Sequence, residues 1–272
     1  MNAASDCPLV LSLGAVREGC AAIEAFGDLL ASRRVGPRAL THAKAATIEA
    51  CVVLAAELRP FERTLQTALG GDSEAKAILR PLFERLESHL STITTALQDW
   101  SPLSARHRLG LETSFRTYRA DIKDCVALCD LAVAAAAVIP VDLDLVGLME
   151  QRQDDRVPEG RTVTLGIDVD ATTIRTDRRV LAGLIELAVA FACRDGGDAA
   201  LLTARARPDG TFVIRVGRAP SNRSPQRAVT VLRRGELDLG LEVARMAARR
   251  AGLDMSFDGA TNAVSIALGH MG

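Results

Sequence analysis

Apolar residues in the second half of the chain change their period several times, and each change marks an element. Across 162–169 they alternate, Thr-Val-Thr-Leu-Gly-Ile-Asp-Val, the two-residue repeat of a strand. From 177 the spacing lengthens. Leu181, Leu184, Ile185, Ala188, Val189 and Ala192 recur at helical intervals and predict a largely buried amphipathic helix, closed by Gly196 and Gly197. Alternation returns in 199–205 and 211–216, split by the turn Pro208-Asp209-Gly210. A glycine-containing turn, 235–241, then leads into a helix over 242–252, and 253–257 with 263–268 read as a closing hairpin.

Residues 7–139 carry no strand pattern and no repeat. Breaks at Gly36-Pro37, Gly70-Gly71 and Trp100-Ser101-Pro102 divide them into four helices, 8–34, 38–69, 73–99 and 104–138. Pro60 and Pro81 fall inside two of these and predict kinks or short interruptions. On the fourth helix Leu111, Phe115, Tyr118, Ile122, Cys125, Cys129 and Ala132 alternate spacings of four and three, a coiled-coil-like seam. The third answers with Leu79, Leu82, Leu86, His89, Ile93, Ala96 and Trp100. A short linker and helix occupy 141–149, and the polar run 151–161 reads as a loop.

Composition narrows the function. Of 272 residues, 48% are hydrophobic, enough for a sizeable core, but aromatics are only 3%, which favours packed helices. With 33 basic and 34 acidic residues there is no global electrostatic case for nucleic acid. No basic region followed by a long apolar run opens the chain, so no signal peptide is expected. The most apolar run, 126–141, includes Asp130 and is too short to span a bilayer. The chain therefore reads as soluble and cytoplasmic, without membrane insertion. Its cysteines form no C-x-x-C pair. Cys125 and Cys129 stand one helical turn apart but lack further ligands, so they read as small buried residues and no metal is expected.

The order strand, helix, Gly-Gly, hairpin, glycine turn, helix, hairpin resembles the ATP-binding domain shared by sensor histidine kinases and by gyrase-type and heat-shock-type ATPases. Helices three and four resemble the hairpin through which histidine kinases dimerise. The resemblance implies an α+β fold. An N-terminal all-α helical bundle, 1–139, precedes a two-layer α/β sandwich of the histidine-kinase ATPase type, 140–272. It also implies a homodimer in which two copies of the hairpin 73–138 form a four-helix bundle through 73–99 and 104–138.

The nucleotide positions of that family are altered. Where it carries a magnesium-holding Asn, the alignment puts Glu186 and Ala190, and Ala190 has no ligand atom. Where it carries the Asp that accepts from the adenine amine, the chain has Arg218, a donor only. The glycine turn keeps Gly240 but has Asp238, and Glu236 and Asp238 would repel an anion. The run 221–234 replaces the lid over ATP and holds Arg223, Arg227, Arg233 and Arg234, a solvated loop or a patch for an acidic partner. No cofactor is expected.

Two histidines carry candidate chemistry. Phe83 and Ser88-His89 match the spacing of the family's phospho-accepting histidine, although Leu90 follows where the family has an acid, and the family's Pro is missing. The strict seam turns His89 inward; a register shift to Leu90 would expose it. His42 is predicted outward beside Lys44, an imidazole nucleophile with a cation to steady phosphate. His107 and His270 have no constellation around them.

Three readings follow. One is a histidine-kinase-like protein without autokinase activity, a histidine phosphotransferase that relays through His89 and docks a response-regulator receiver domain. Another is a pseudokinase scaffold that sequesters a receiver domain or a histidine kinase. The third is an active ATPase built on Glu186.

Overall fold

Four long helices build the first half: α1 Pro8–Ala31, α2 Pro37–Ala68, α3 Ser73–Asp99 and α4 Ala105–Ala136. The computed structural model describes residues 8–32, 34–71, 73–100, 105–150, 161–169, 173–195, 197–208, 210–219, 226–231 and 234–268. The chain divides into two compact units, Met1–Val133 and Ala134–Gly272.

Local chemistry sets the helix ends. Pro37 opens α2 at a position whose N–H has no helical partner. Gly70 and Gly71 close it with φ of 87° and 66°, a left-handed backbone that glycine alone adopts without strain. The expected interruptions at Pro60 and Pro81 do not occur, because α2 and α3 run through both. Each proline lies on an exposed side, as do Ala56 and Ala77 four residues before, so the carbonyl each proline leaves unbonded faces water.

Each helix of the first unit packs on the next, and the fourth returns to the first. Gly19 of α1 admits Leu54 of α2, and Phe61 of α2 meets Phe83 of α3 edge-on at 5.4 Å. Tyr118 of α4 faces His89 of α3. Phe115 of α4 lies 5.3 Å from Phe26 of α1, with Lys123–Glu24 and Arg17–Asp130 ion pairs alongside. The four phenylalanines are fully buried, each contributing about 2–3 kcal/mol. The seam residues Leu79, Leu82, Leu86, Phe115, Ile122 and Cys129 are buried within this unit.

Beyond Leu86 the inward register of α3 departs from the strict seam. Leu90, Ile93 and Leu97 are buried, while His89 and Ala96 are half-buried. A straight helix turns every 3.6 residues rather than 3.5, so the drift brings the two leucines inward.

Helix α2, rather than the run 126–141, is long and apolar enough by length and composition to cross a membrane. Residues 131–135 of that run belong to buried α4.

The second unit runs β1 Val141–Asp144, α5 Leu145–Glu150, β2 Arg161–Val169, β3 Thr173–Thr176, α6 Arg178–Ala192, β4 Ala199–Ala206, β5 Phe212–Arg218, β6 Gln226–Val231, α7 Arg234–Arg250, β7 Leu253–Asp258 and β8 Ala263–Leu268. Strands β1 and β3 form a separate antiparallel ribbon, with Leu143 opposite Ile174. The main sheet has the order β6-β2-β4-β5-β8-β7. Its one parallel pair is β2–β4, and α6 makes the crossover. One sheet face buries Leu202, Ile214, Val216, Val264 and Ile266 under the helices. The other exposes Arg205 and Arg215. The fold is thus α+β, with helices first and a two-layer unit after them.

Three segments differ from expectation. Residues 226–231, within the run expected as a solvated loop, pair with β2 over six positions, from Arg161 opposite Val231 to Gly166 opposite Gln226. Val229, Thr230 and Val231 supply the β-branched residues that suit a pleated edge. Residues 141–144, expected as linker, form β1. Residues 235–241, expected as a turn, lie inside α7, where Leu237, Gly240, Ala244 and Ala247 bury one helical stripe.

Candidate functional site

The side chains with candidate chemistry fall into three places, and the first surrounds His89. One turn of α3 sets Ser88 outward, Leu90 in the core and His89 between them. The imidazole faces the ring of Tyr118 on α4 at 6.4 Å between centroids, tilted by 48°. Its Nε2 is buried and has no hydrogen-bond partner among the described residues. Burial lowers the His89 pKa, Asp121 of α4 opposes that, and Arg85 one turn earlier on α3 adds to it. The ring is therefore neutral at pH 7. A neutral imidazole is nucleophilic, but the shielded Nε2 must turn outward before a phosphoryl group can reach it. Asp121 brings negative charge to the ring from a neighbouring helix, where the sequence after His89 offers only Leu90. Thr92 and Thr94 donate to the backbone carbonyls of Ser88 and Leu90, both at 2.8 Å, and stay within their own helix.

The second place is the surface around His42. The histidine is exposed, as its spacing predicts. Lys44 does not serve it. The Lys44 ammonium donates to the carbonyls of Gln98 and Trp100, at 3.2 and 2.8 Å, and caps the C-terminus of α3. A cation committed to two carbonyls of the next helix is drawn away from a phosphate at His42, so the structure separates that pair.

The third place is in the second unit, at the positions where the sequence resemblance expects a nucleotide. Asp177 caps α6, whose first turn it sets by accepting from the backbone of Arg179 and Val180. Glu186 is half-buried on that helix and Ala190 is buried, 4% exposed, so position 190 lies in the apolar layer. Arg218 is exposed at the end of β5, its Nε beside Gly197. Gly240 is buried in α7, and Asp238 is exposed. The side chains of Arg227, Arg234, Glu236 and His107, and residues Arg223, Arg233 and His270, lie outside what the structure describes.

No protein-family model matches the sequence, and no curated protein matches it. Among solved structures the chain is similar to the Acinetobacter baumannii histidine kinase AdeS, at 12% identity and a TM-score of 0.46, covering 69% of this chain and 98% of that one. Full-length ShkA in complex with AMPPNP gives 16% and 0.44, over 71% of this chain and 45% of that one. The Erythrobacter litoralis blue-light activated histidine kinase EL346 gives 14% and 0.30, over 70% and 59%.

The carboxylate that the sequence reading did not single out is Asp177. It is 1% exposed and holds more than its own helix. One oxygen accepts the Ile139 N–H at 2.7 Å, and the Arg179 guanidinium bridges from Asp177 to the Ala137 carbonyl, at 3.1 and 2.7 Å. Burial alone would raise its pKa. The Arg179 bond and the backbone N–H groups of Ile139, Val180 and Arg179 outweigh it, and the net shift is downward. The sequence signal was the Asp directly before an amphipathic helix.

Proposed function

We propose that this chain is a kinase-shaped adaptor of two-component signalling, one that holds a response-regulator receiver domain without binding ATP. The observation that carries the reading is β6. A lid must open and close over a nucleotide, whereas 226–231 are committed to a ladder with β2 across six positions. The apolar burial of Ala190 and the donor-only Arg218 support the same conclusion. The surface offered to the receiver is the outer side of α3 and α4 around Ser88. Calorimetric titration with Mg-ATP and Mg-ADP, beside an active kinase domain, tests the reading. No heat of binding is expected, and micromolar binding would overturn it and return Glu186 to consideration as a general base.

A second reading, histidine phosphotransfer through His89, is favoured by one feature: a neutral imidazole with an unpartnered nitrogen and Asp121 beside it. In that reading the ring rotates outward when the receiver docks. Incubation with a phosphorylated receiver domain decides between the two. Acid-labile phosphate that appears on the wild type and is lost in His89→Ala selects the phosphotransferase; binding without transfer selects the adaptor.

A further inference from the structure

We propose that the outer face of α1 and α2 is a docking groove for a cationic amphipathic helix of a partner protein. A groove of about 370 Å³ runs between the two helices. Ala15, Gly19, Ala46 and Ala50 line it, with Leu54 at its base and Val53 at its side. Small side chains let another helix bring its backbone close. Gly19 serves both purposes: without a Cβ it admits Leu54, which would stand 3.0 Å from that atom, and it keeps the groove wall low.

Large aliphatic groups are exposed on both helices, Val53 of them within the groove. Val52 and Val53 are 58% and 57% exposed, and Leu11 of α1 is 62% exposed. Most other outward positions of α2 in this region are alanine or charged. A face of this kind keeps its apolar area for a partner.

Charge selects the occupant. Glu18, Glu49 and Glu57 line the groove, and no basic residue does. All three are exposed, and none has an ion-pair partner among the described residues. Several acids elsewhere on the bundle are paired: Glu62 and Glu87 with Arg59, Glu84 with Arg80, Glu24 with Lys123. Even Arg17, next to Glu18, is turned to Asp130. An apolar floor with an unneutralised acidic rim fits a helix that carries Leu or Met on one stripe and Arg or Lys beside it. Ala46 and Glu57 stand eleven residues apart, about 16 Å along the helix, which three turns of a partner would cover. A second copy seated by twofold symmetry would set glutamates against glutamates. An anionic lipid surface would meet the same repulsion.

The test uses the full chain and two helical peptides with the same leucine spacing, one flanked by Arg and one by Glu. The Arg peptide is expected to bind at least about tenfold more tightly, with a preference that shrinks as salt screens the rim. The double variant Glu49→Lys/Glu57→Lys is expected to reverse the preference. Val53→Asp, at an exposed position that the core does not use, is expected to remove binding while the far-UV melting curve stays in place. Failure of both peptides to bind, equal binding, or binding unchanged by the charge reversal overturns the proposal. So does self-association lost in Val53→Asp, which assigns the face to a second copy. Flotation with phosphatidylglycerol vesicles lost in that variant assigns it to a membrane and overturns the proposal as well.

Discussion

The Asp177 carboxylate lies 2.7 Å from the backbone N–H of Ile139, so the cap of α6 also fastens the chain that leaves α4. Two jobs on one buried carboxylate make it a point where sequence, packing and pH meet. Replacement by Ala removes the cap and leaves the Ile139 and Val180 N–H groups unpaired. The expected loss is about 2–4 kcal/mol, read by urea denaturation. The pH dependence follows from the depressed folded pKa. The contribution is full above the unfolded value, about 4, and is lost as pH falls through the folded value. Wild type and Asp177→Asn are therefore expected to converge in stability as the pH falls into that range. A constant gap down to pH 2 would refute the assignment.

His89 acts in the same direction, in a higher pH window. Its folded pKa is below the ordinary imidazole value because burial disfavours the cation. The unfolded chain then binds more protons just below pH 6.5, so this group makes stability fall as pH drops from about 6.5 through the folded pKa. An NMR titration of the ring is expected to show a midpoint under that of free histidine. Asp121→Asn should lower it further and Arg85→Leu should raise it.

Gly27 tests how tightly α1 and α4 meet. A Cβ there would lie 2.2 Å from Nη1 and 2.6 Å from Cδ of Arg119, which is 6% exposed and paired to Asp28 at 3.1 Å. Helix propensity alone says that Gly27→Ala should stabilise by about 1 kcal/mol. The clash predicts the reverse, a loss of about 1–3 kcal/mol. The sign of the change in the denaturation midpoint decides which effect wins.

The buried seam bears on oligomeric state. Because α1 and α2 cover Leu79, Leu82, Phe115 and Ile122, the chain is expected to sediment near its monomer mass of 28.9 kDa. A dimer that persists in Val53→Asp would mean that α3 and α4 pair across copies and displace α1 and α2. Deleting 1–69 separates the outcomes, since the exposed seam should then associate.

Helices and most strands were legible because their period is written in residues that the core needs. The run from Leu181 to Ala192 and the break at Gly70-Gly71 are examples. Register was less legible. A strict heptad points His89 inward, and only the accumulated drift of a straight helix favours Leu90. Strand β6 was hidden because Arg227 and the arginines around 223–234 look like solvent, while its partner β2 lies some 60 residues earlier in sequence. The commitment of Lys44 to α3 was invisible for the same reason: its acceptors, Gln98 and Trp100, come from the end of another helix. The candidate site suffers most from this, since its chemistry depends on side chains from separate elements.

The circular order of the first four helices also bears on how the chain acquires its shape. Three of the four helix contacts join neighbours in sequence, and only the closure of α4 onto α1 spans the unit. Such a low contact order favours fast collapse. On a ribosome, the helical unit can be complete while β4, the parallel partner that β2 needs, is still unsynthesised. The sheet would then assemble only after the bundle is finished, with α1 and α2 already packed against α3 and α4.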